Sequence, residues 1–457
     1  MTKAIPAVLK ELASVFNSQG KQVYLVGGAV RDMLRGEKIH DWDLATDALP
    51  DEVTAVIKAA GGKVVPTGIK HGTVTVFYKK HSAEITTFRT ESDYSDGRRP
   101  DTVNYAATIE EDLSRRDFTM NAIALRLPKA EIIDPFGGAR DIKAGIIRCV
   151  GKAAERFGED GLRPLRAVRF AAQLGFELEQ NTQDAISGAL AISAKVSQER
   201  VRDEIDKILA SALPSRAFLL MEKTGLLELF LGELAVCRGI EQKGYHRFDV
   251  LDHSLLACDY AARNGFSHEL RLAALLHDVG KPQTQKMDNS EVWTFYRHEE
   301  IGDVMCREML GRLRYSNAVI DSVCHLVKEH MFHYTPDWND SAVRRFIARV
   351  GENSLENLYC LRRADTFALT GRESEGHALL LLVNRVEEIL ASGRAFSIKD
   401  LAVTGNDLKT IGIKPGKTMG LILHELLETV LDDPAQNTQE KLLEIAEKTY
   451  RNITESV

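Results

Sequence analysis

The 457-residue sequence holds only six cysteines. They stand at Cys149, Cys237, Cys258, Cys306, Cys324 and Cys360, never at CxxC spacing, which excludes a zinc ribbon or a disulfide framework; they are expected to be reduced and buried. Long apolar runs are missing as well: none approaches the ~18 residues that span a bilayer. The start, Met1-Thr2-Lys3-Ala4-Ile5-Pro6, lacks the apolar core of a signal peptide. A cytoplasmic protein without a membrane partner is expected. Nor is there an excess of basic charge. Lys plus Arg (59) against Asp plus Glu (66) give −7, so a polyanionic partner would have to meet a local basic stripe. Internal repeats and low-complexity tracts are absent, and 44% hydrophobic with 27% charged residues excludes disordered and fibrous classes. At about 100–200 residues per domain the length predicts roughly three domains.

What is present changes character along the chain. From residue 22 to about 124, short β-rich runs (23–26, 63–66, 73–78, 84–88) alternate with helical stretches at 7–16 and 51–60, which reads as an α/β domain. After about Ile146 the β-signals almost vanish. Amphipathic helical patterns then continue nearly to the end, broken at Gly175, Pro214, Pro282, Pro336 and Pro415. The fold class expected is a multidomain α+β chain with an α/β head and an all-helical remainder.

The densest signal opens the α/β part: Tyr24-Leu25-Val26-Gly27-Gly28-Ala29-Val30-Arg31-Asp32, then Asp41-Trp42-Asp43. A strand running into two glycines and a helix lets the backbone approach a phosphate, because neither glycine carries a Cβ and the helix N-terminus offers free N–H groups. In an extended DxD, Asp41 and Asp43 project to one face. Two carboxylates so placed suit Mg²⁺, the ion commonly held by one or two carboxylates plus substrate phosphates. Two such ions could clamp the attacking and leaving oxygens of a phosphoryl transfer. Glu84, on a later strand, is a third candidate carboxylate. Together these features resemble the active site of the nucleotidyltransferase superfamily that includes DNA polymerase β.

Further on stand Arg115-Arg116-Asp117-Phe118-Thr119-Met120-Asn121-Ala122, Asp134-Pro135-Phe136-Gly137-Gly138, and Glu159-Asp160-Gly161-Leu162-Arg163-Pro164-Leu165-Arg166-Ala167-Val168-Arg169-Phe170, followed by Glu199-Arg200. In order and spacing these resemble the motifs of the class II tRNA nucleotidyltransferases, the CCA-adding enzymes, and of their sister bacterial poly(A) polymerases. The resemblance implies a polymerase-β-like head at 1–145, a helical neck at 146–245, a body at 246–375 and a tail at 376–457. It also implies that CCA is added to tRNA 3′ ends from CTP and ATP, with Asp41 and Asp43 holding Mg²⁺ and Glu84 a candidate for activating the 3′-hydroxyl. Arg115, Arg116, Asp117 and Asn121 match the motif that holds ribose and triphosphate, and Arg31 and Asp32 support the first loop. The rival within the same resemblance is poly(A) polymerase; CC-only and A-only addition also stay open.

Asp160 and Arg163 stand at i and i+3, expected as neighbours on one helix face beginning near Asp160. Cytosine and adenine each show an amine donor beside a ring-nitrogen acceptor, matching the acceptor Asp160 and the donor Arg163. Guanine and uracil invert that pattern. The resemblance implies base selection by such a protein template, with Glu159 orienting it; an ordinary helical ion pair is the alternative. Arg156, Arg163, Arg166 and Arg169 would supply local positive potential for a triphosphate or the acceptor end of tRNA. The polar segment 91–103 reads as a loop, and in the family a loop at this position is associated with the switch from C to A addition.

The helical half holds a second constellation: His253, the doublet His277-Asp278 followed by Val279-Gly280-Lys281-Pro282, and Asp365. An apolar helix ending in adjacent His and Asp places two metal ligands at the rim of a helical core. Imidazole and carboxylate suit Mn, Fe, Co, Ni or Zn, and Mg is possible too. The pattern resembles the HD-domain phosphohydrolases, with His298 and His330 as ligands of a second metal. A lone histidine such as His325 reads as structural. The tail, from about Phe396, resembles the helical segment expected to cradle the tRNA elbow.

Overall fold

Leu9, Leu12, Ala13 and Phe16 form the buried stripe of the first helix, α1 (Ala7–Ser18), at the spacing that puts them on one face. The apolar run after it is strand β1 (Val23–Val26), buried at every position and hence covered on both faces. It leads into α2 (Gly28–Arg35). Next come β2 (Asp43–Thr46), α3 (Pro50–Ala59), β3 (Lys63–Gly68), β4 (Thr73–Tyr78) and β5 (His81–Thr87), then a separate ribbon of β6 (Arg89–Ser92) and β7 (Thr102–Tyr105). Helix α4 (Ile109–Ser114), β8 (Ala124–Leu127), β9 (Glu131–Ile133) and α5 (Gly138–Ala144) complete the head.

The sheet has seven strands in the order β3-β4-β5-β2-β1-β8-β9. Only β2 and β5 run parallel; the other neighbours are antiparallel. That pairing decides the site, because it puts Asp43 level with Glu84 on adjacent strands. Tyr24, Val26, Ala45, Phe88, Leu113 and Val150 pack together beneath it.

This computed structural model describes residues 5–39, 41–69, 72–92, 102–242, 247–373, 376–391 and 396–455. Residues 93–101 of the expected loop therefore lie outside the described residues; its flanks are β6 and β7. The chain forms two compact units, Met1–Val236 with Met309–Ser316, and Cys237–Glu308 with Asn317–Val457. This is a coarser partition than the four segments read from the sequence. Beyond the head the structure is helical, as expected, apart from two-residue strand pairs at Ile146–Ile147 with Glu177–Leu178 and Lys286–Met287 with Trp293–Thr294. All six cysteines are buried, and none forms a disulfide. Among the described residues no helix is long and apolar enough to cross a membrane.

Candidate active site in the head and candidate metal centre in the second unit

Gly27 turns the chain from β1 into α2 with φ +65°, a conformation that costs glycine little. A Cβ on it would lie 2.9 Å from Arg116 Nη1, so a side chain at Gly27 would displace that guanidinium. Asp43 opens β2, whereas Asp41 and Trp42 precede the strand. Asp41, Asp43 and Glu84 line one hollow of about 450 Å³ with Trp42, Thr75, Ser82 and Ala83. Burial raises the pKa of Asp43, Arg116 opposes the rise, and Glu84 and Asp41 add to it. Three carboxylates crowded on one hollow, one of them already reluctant to ionise, form an all-oxygen donor set that fits Mg²⁺.

The arginine-rich motif is held from behind. Asp112, the residue before Leu113 in α4, pairs with Arg115 at 2.8 Å and Arg116 at 3.3 Å. Asp117 accepts two hydrogen bonds from Arg166, at 2.7 and 2.9 Å, and one from the Asn121 amide at 3.1 Å. Burial alone would raise its pKa, but Arg166 and Asn121 hold it down at about 2. Arg31 is paired with Asp32 at 2.9 Å and donates to Asn121 Oδ1 at 2.9 Å. Phe170 forms a platform for three of these cations: the guanidinium carbons of Arg169, Arg31 and Arg166 lie 3.8, 5.3 and 5.4 Å from its ring centre. Attraction to the ring face helps keep like charges close.

The expected template helix is not continuous. Helix α6 (Ala153–Glu159) ends before Asp160, which has extended φ/ψ (−137°, 111°), and α7 (Arg163–Leu174) starts at Arg163. The break follows from Gly161, where a Cβ would sit 2.5 Å from the Ile192 carbonyl oxygen, and from Pro164, which is tolerated only in a first turn. Asp160 caps the turn by accepting from Leu162 N at 3.0 Å. Its carboxylate also faces Arg200, 2.9 Å away. Arg163 is buried, pairs with Glu159, and donates to the carbonyls of Arg156 (2.8 Å) and Arg115 (3.0 Å). Glu159 is thus paired with Arg163, but Asp160 and Arg163 sit on either side of a tight turn rather than on one helix face.

Some of the four arginines expected to give local positive potential were also expected to pair with nearby carboxylates; in the structure each of the four has a carboxylate partner. Arg156 and Arg163 share Glu159, Arg166 takes Asp117, and Arg169 takes Glu204 at 2.5 Å. One partner in the site, Asp112, was not picked out from the sequence, and Arg200, quoted there with its motif, was given no role. The signal for Asp112 was its i, i+3 and i, i+4 spacing to Arg115 and Arg116, hidden in the acidic run Glu110-Glu111-Asp112.

In the second unit six residues from five places in the sequence converge. His253 lies in the helix Val250–Arg263, His277 caps the helix His268–Leu276, and Asp278 follows it. His298 opens the helix His298–Arg312, His330 follows the helix Asn317–Glu329, and Asp365 lies in the helix Glu352–Thr370. Their donor atoms form two triads, His253/His277/Asp365 and Asp278/His298/His330. The four-ligand set expected from the sequence is therefore divided. Asp278 Oδ1 faces His298 at 3.2 Å, while its Oδ2 faces His277 and His253 at 3.3 and 3.4 Å.

The histidine rings are oriented for ligation. Nδ1 of His277, His298 and His330 lies 2.9, 2.8 and 2.6 Å from the carbonyls of Ala274, Phe295 and Val327. With Nδ1–H donating there, each Nε2 turns a lone pair toward the centre. His298 Nε2 and His330 Nε2 are then 3.2 Å apart, and His253 Nε2 and His277 Nε2 3.1 Å apart, separations that a shared cation relieves. Burial disfavours charge on His277, yet Asp278 and Asp365 raise its pKa to about 10; a metal ion would replace that proton. The donor set of imidazoles and carboxylates fits a divalent transition metal. Lys281 (2.6 Å from Asp278) and Arg362 (3.0 Å from Asp365) line a cavity of about 550 Å³ above the triads, with Trp293, Phe295 and Tyr296 on its wall. His325, expected to be structural, bonds the Val350 carbonyl at 2.7 Å.

Three family models match the chain: the poly A polymerase head domain over residues 23–148, the "Probable RNA and SrmB-binding site of polymerase A" over 175–237, and tRNA nucleotidyltransferase domain 2 over 284–446. The CCA-adding enzyme of Lactobacillus johnsonii is 36% identical over 446 residues, spanning 97% of this chain and 96% of the relative. This chain belongs to the CCA-adding enzyme family. The CCA-adding enzyme of Enterococcus faecalis is 33% identical, with 97% of each chain covered. Among solved structures, the Bacillus stearothermophilus CCA-adding enzyme in complex with CTP superposes with a TM-score of 0.72 at 29% identity, covering 98% of each chain. As a member of this family the protein is an enzyme, with a nucleotidyltransferase head and a helical remainder. The three matched spans leave out residues 238–283, which carry His253, His277 and Asp278, so the metal-centre reading stands on geometry.

Proposed function

We propose that this enzyme adds CCA to the 3′ end of tRNA from CTP and ATP without a nucleic-acid template. The observation that carries the reading is the convergence of Asp41, Asp43 and Glu84 on one hollow beside Gly27 and Arg116. Asp41 and Asp43 would hold Mg²⁺, which when bound offsets the charge of the triphosphate and orients the oxygens of the transfer, as one ion or as two. Glu84, exposed and level with Asp43, accepts the proton of the primer 3′-hydroxyl. Arg115, Arg116, Asn121 and the Asp117–Arg166 pair bind ribose and triphosphate, Gly27 and Gly28 admit phosphate close to the backbone, and Arg31 and Asp32 brace that turn. Glu159, Asp160 and Arg163 select the base through an acceptor and a donor presented across the turn. The acceptor arm and elbow of tRNA lie along the helical parts. The deciding experiment gives tRNA lacking its terminal trinucleotide CTP alone, ATP alone and both. CC from CTP and CCA from both support the reading; A-runs on unstructured RNA without CTP would favour poly(A) polymerase.

A second reading belongs to the second unit. The two triads, with Asp278 of one also facing the histidines of the other, favour a divalent metal centre and a metal-dependent phosphohydrolase activity of the HD type. Lys281 and Arg362 supply positive charge on the cavity side, where a phosphate ester would enter. The check is metal content by mass spectrometry with hydrolysis of a generic phosphomonoester. His277→Ala should abolish both and spare CTP incorporation, and Asp41→Ala should do the reverse.

A further inference from the structure

Asp112 is 1% exposed and belongs to no motif that the proposed chemistry uses, yet every group around it leads to that chemistry. Its Oδ1 accepts from Arg115 Nε at 3.0 Å and Nη2 at 2.8 Å. The same oxygen accepts from the backbone N–H of Arg89 at 3.3 Å, and Oδ2 accepts from Arg116 Nη2 at 3.3 Å. Four donors on a buried carboxylate fix its geometry, and with Arg115 and Arg116 beside it its pKa falls below the ordinary value although burial pushes the other way.

The three groups it holds are separate in sequence but reach three different parts of the site. Arg89 begins the β6–β7 ribbon. The carbonyl of Arg115 accepts from Arg163, the proposed base-reading residue. Arg116 reaches the other way: its Nη1 lies where a Cβ on Gly27 would intrude, and its charge draws the pKa of Asp43 down. Arg116 Nε is buried and meets no acceptor among the described residues.

We propose that Asp112 is a positioning residue for nucleotide selection. It sets Arg116 against the Gly27 turn, and through Arg115 it sets Arg163, so that the ribbon, the triphosphate site and the base-reading turn share one buried anchor. The inference rests on the proposed nucleotidyl transfer.

The test is steady-state kinetics, with CTP and UTP each varied on tRNA lacking its last three residues and ATP varied on tRNA that already ends in CC. Asp112→Asn keeps the shape but loses the charge and sets an amide donor against an arginine. With folding intact by circular dichroism, KM for CTP and ATP is expected to rise about tenfold or more while the preference for CTP over UTP in kcat/KM falls by a similar factor. Asp112→Glu should restore part of both. A purely structural role would lower the folded fraction and kcat for all nucleotides alike, with KM and selectivity unchanged; that result overturns the proposal. If the Asn variant does not fold, Asp112→Glu decides alone, because moving the carboxylate by one methylene raises KM if Asp112 positions the site and leaves it unchanged if it does not. A wild-type enzyme that incorporates no CTP overturns both this inference and the reading beneath it, whereas an active wild type with an unaffected variant overturns this inference only.

Discussion

Arg163 Nη2 donates to the main-chain carbonyl of Arg115 across 3.0 Å, joining the turn that would read a base to the motif that would hold its phosphates. The contact crosses from α7 to the end of α4, forty-eight residues away. A guanidinium can serve it with one arm and keep Glu159 with the other; an ammonium cannot.

Arg163→Lys therefore separates charge from shape. The substitution should lower the preference for CTP over UTP by about 1–3 kcal/mol, roughly five- to 160-fold in kcat/KM. Single-nucleotide incorporation with each triphosphate reads this directly. Selectivity at the wild-type level would leave Arg163 as an ion pair that staples Glu159 to the turn.

Asp43→Asn should abolish incorporation and at the same time stabilise the metal-free protein. The sign follows from the raised pKa of Asp43. A carboxyl whose folded pKa lies above its unfolded value is charged at neutral pH against the preference of its site, so removing the charge favours the folded state. Thermal melts in chelator should show a higher Tm for the variant, and added Mg²⁺ should raise Tm for the wild type more than for the variant. A lower Tm in chelator would mean that the crowding of Asp41, Asp43 and Glu84 is not felt.

Asp117 gives the opposite sign. Its pKa falls from 3.8 to about 2 beside Arg166. Its contribution is complete above the unfolded value and is lost as pH falls from about 4 through 2, a total of roughly 2 kcal/mol. Urea unfolding from pH 5 to pH 2.5 should show a shallower acid limb for Asp117→Asn than for the wild type. Parallel limbs would contradict the buried Asp117–Arg166 pair.

Gly280 lets the His298 helix approach the His277-Asp278 doublet: a Cβ there would lie 2.2 Å from the His298 carbonyl oxygen and 2.8 Å from Gly302 N. Gly280→Ala should push His298 away from Asp278, at an overpacking cost of roughly 1–3 kcal/mol. Metal content of the folded variant should fall while CTP incorporation continues. Unchanged metal content would show that the Asp278/His298/His330 triad does not hold an ion.

Much of the head was legible because its signals are local. Gly27-Gly28 after an apolar strand and the alternation of Asp41 and Asp43 need only the neighbouring backbone to be read. Glu84 came from the same logic, but its place level with Asp43 depends on the single parallel pair in the sheet, which no local pattern encodes. The placing of Asp160 and Arg163 on one helix face was misread for a physical reason: i, i+3 spacing says helix, while Gly161 packed against Ile192 ends one helix and Pro164 starts another. The positive potential read from four arginines was likewise local, and the partners Asp117 and Glu204 come from distant segments. In the second unit the doublet His277-Asp278 announced itself, but the division of six ligands into triads is a matter of distances between helices. Asp112 escaped notice because burial, rather than residue type, distinguishes it from Glu110 and Glu111.

The position of Asp278 has one further consequence. Since its two oxygens look into different halves of the centre, the halves are not independent vessels. Once filled, withdrawal of the ion on the Oδ2 side would leave that oxygen to Lys281 alone, and withdrawal of the other would leave Oδ1 facing only its histidines, in either case loosening the counterpart. A chelator should accordingly empty the pair in one step rather than leave a long-lived half-loaded form.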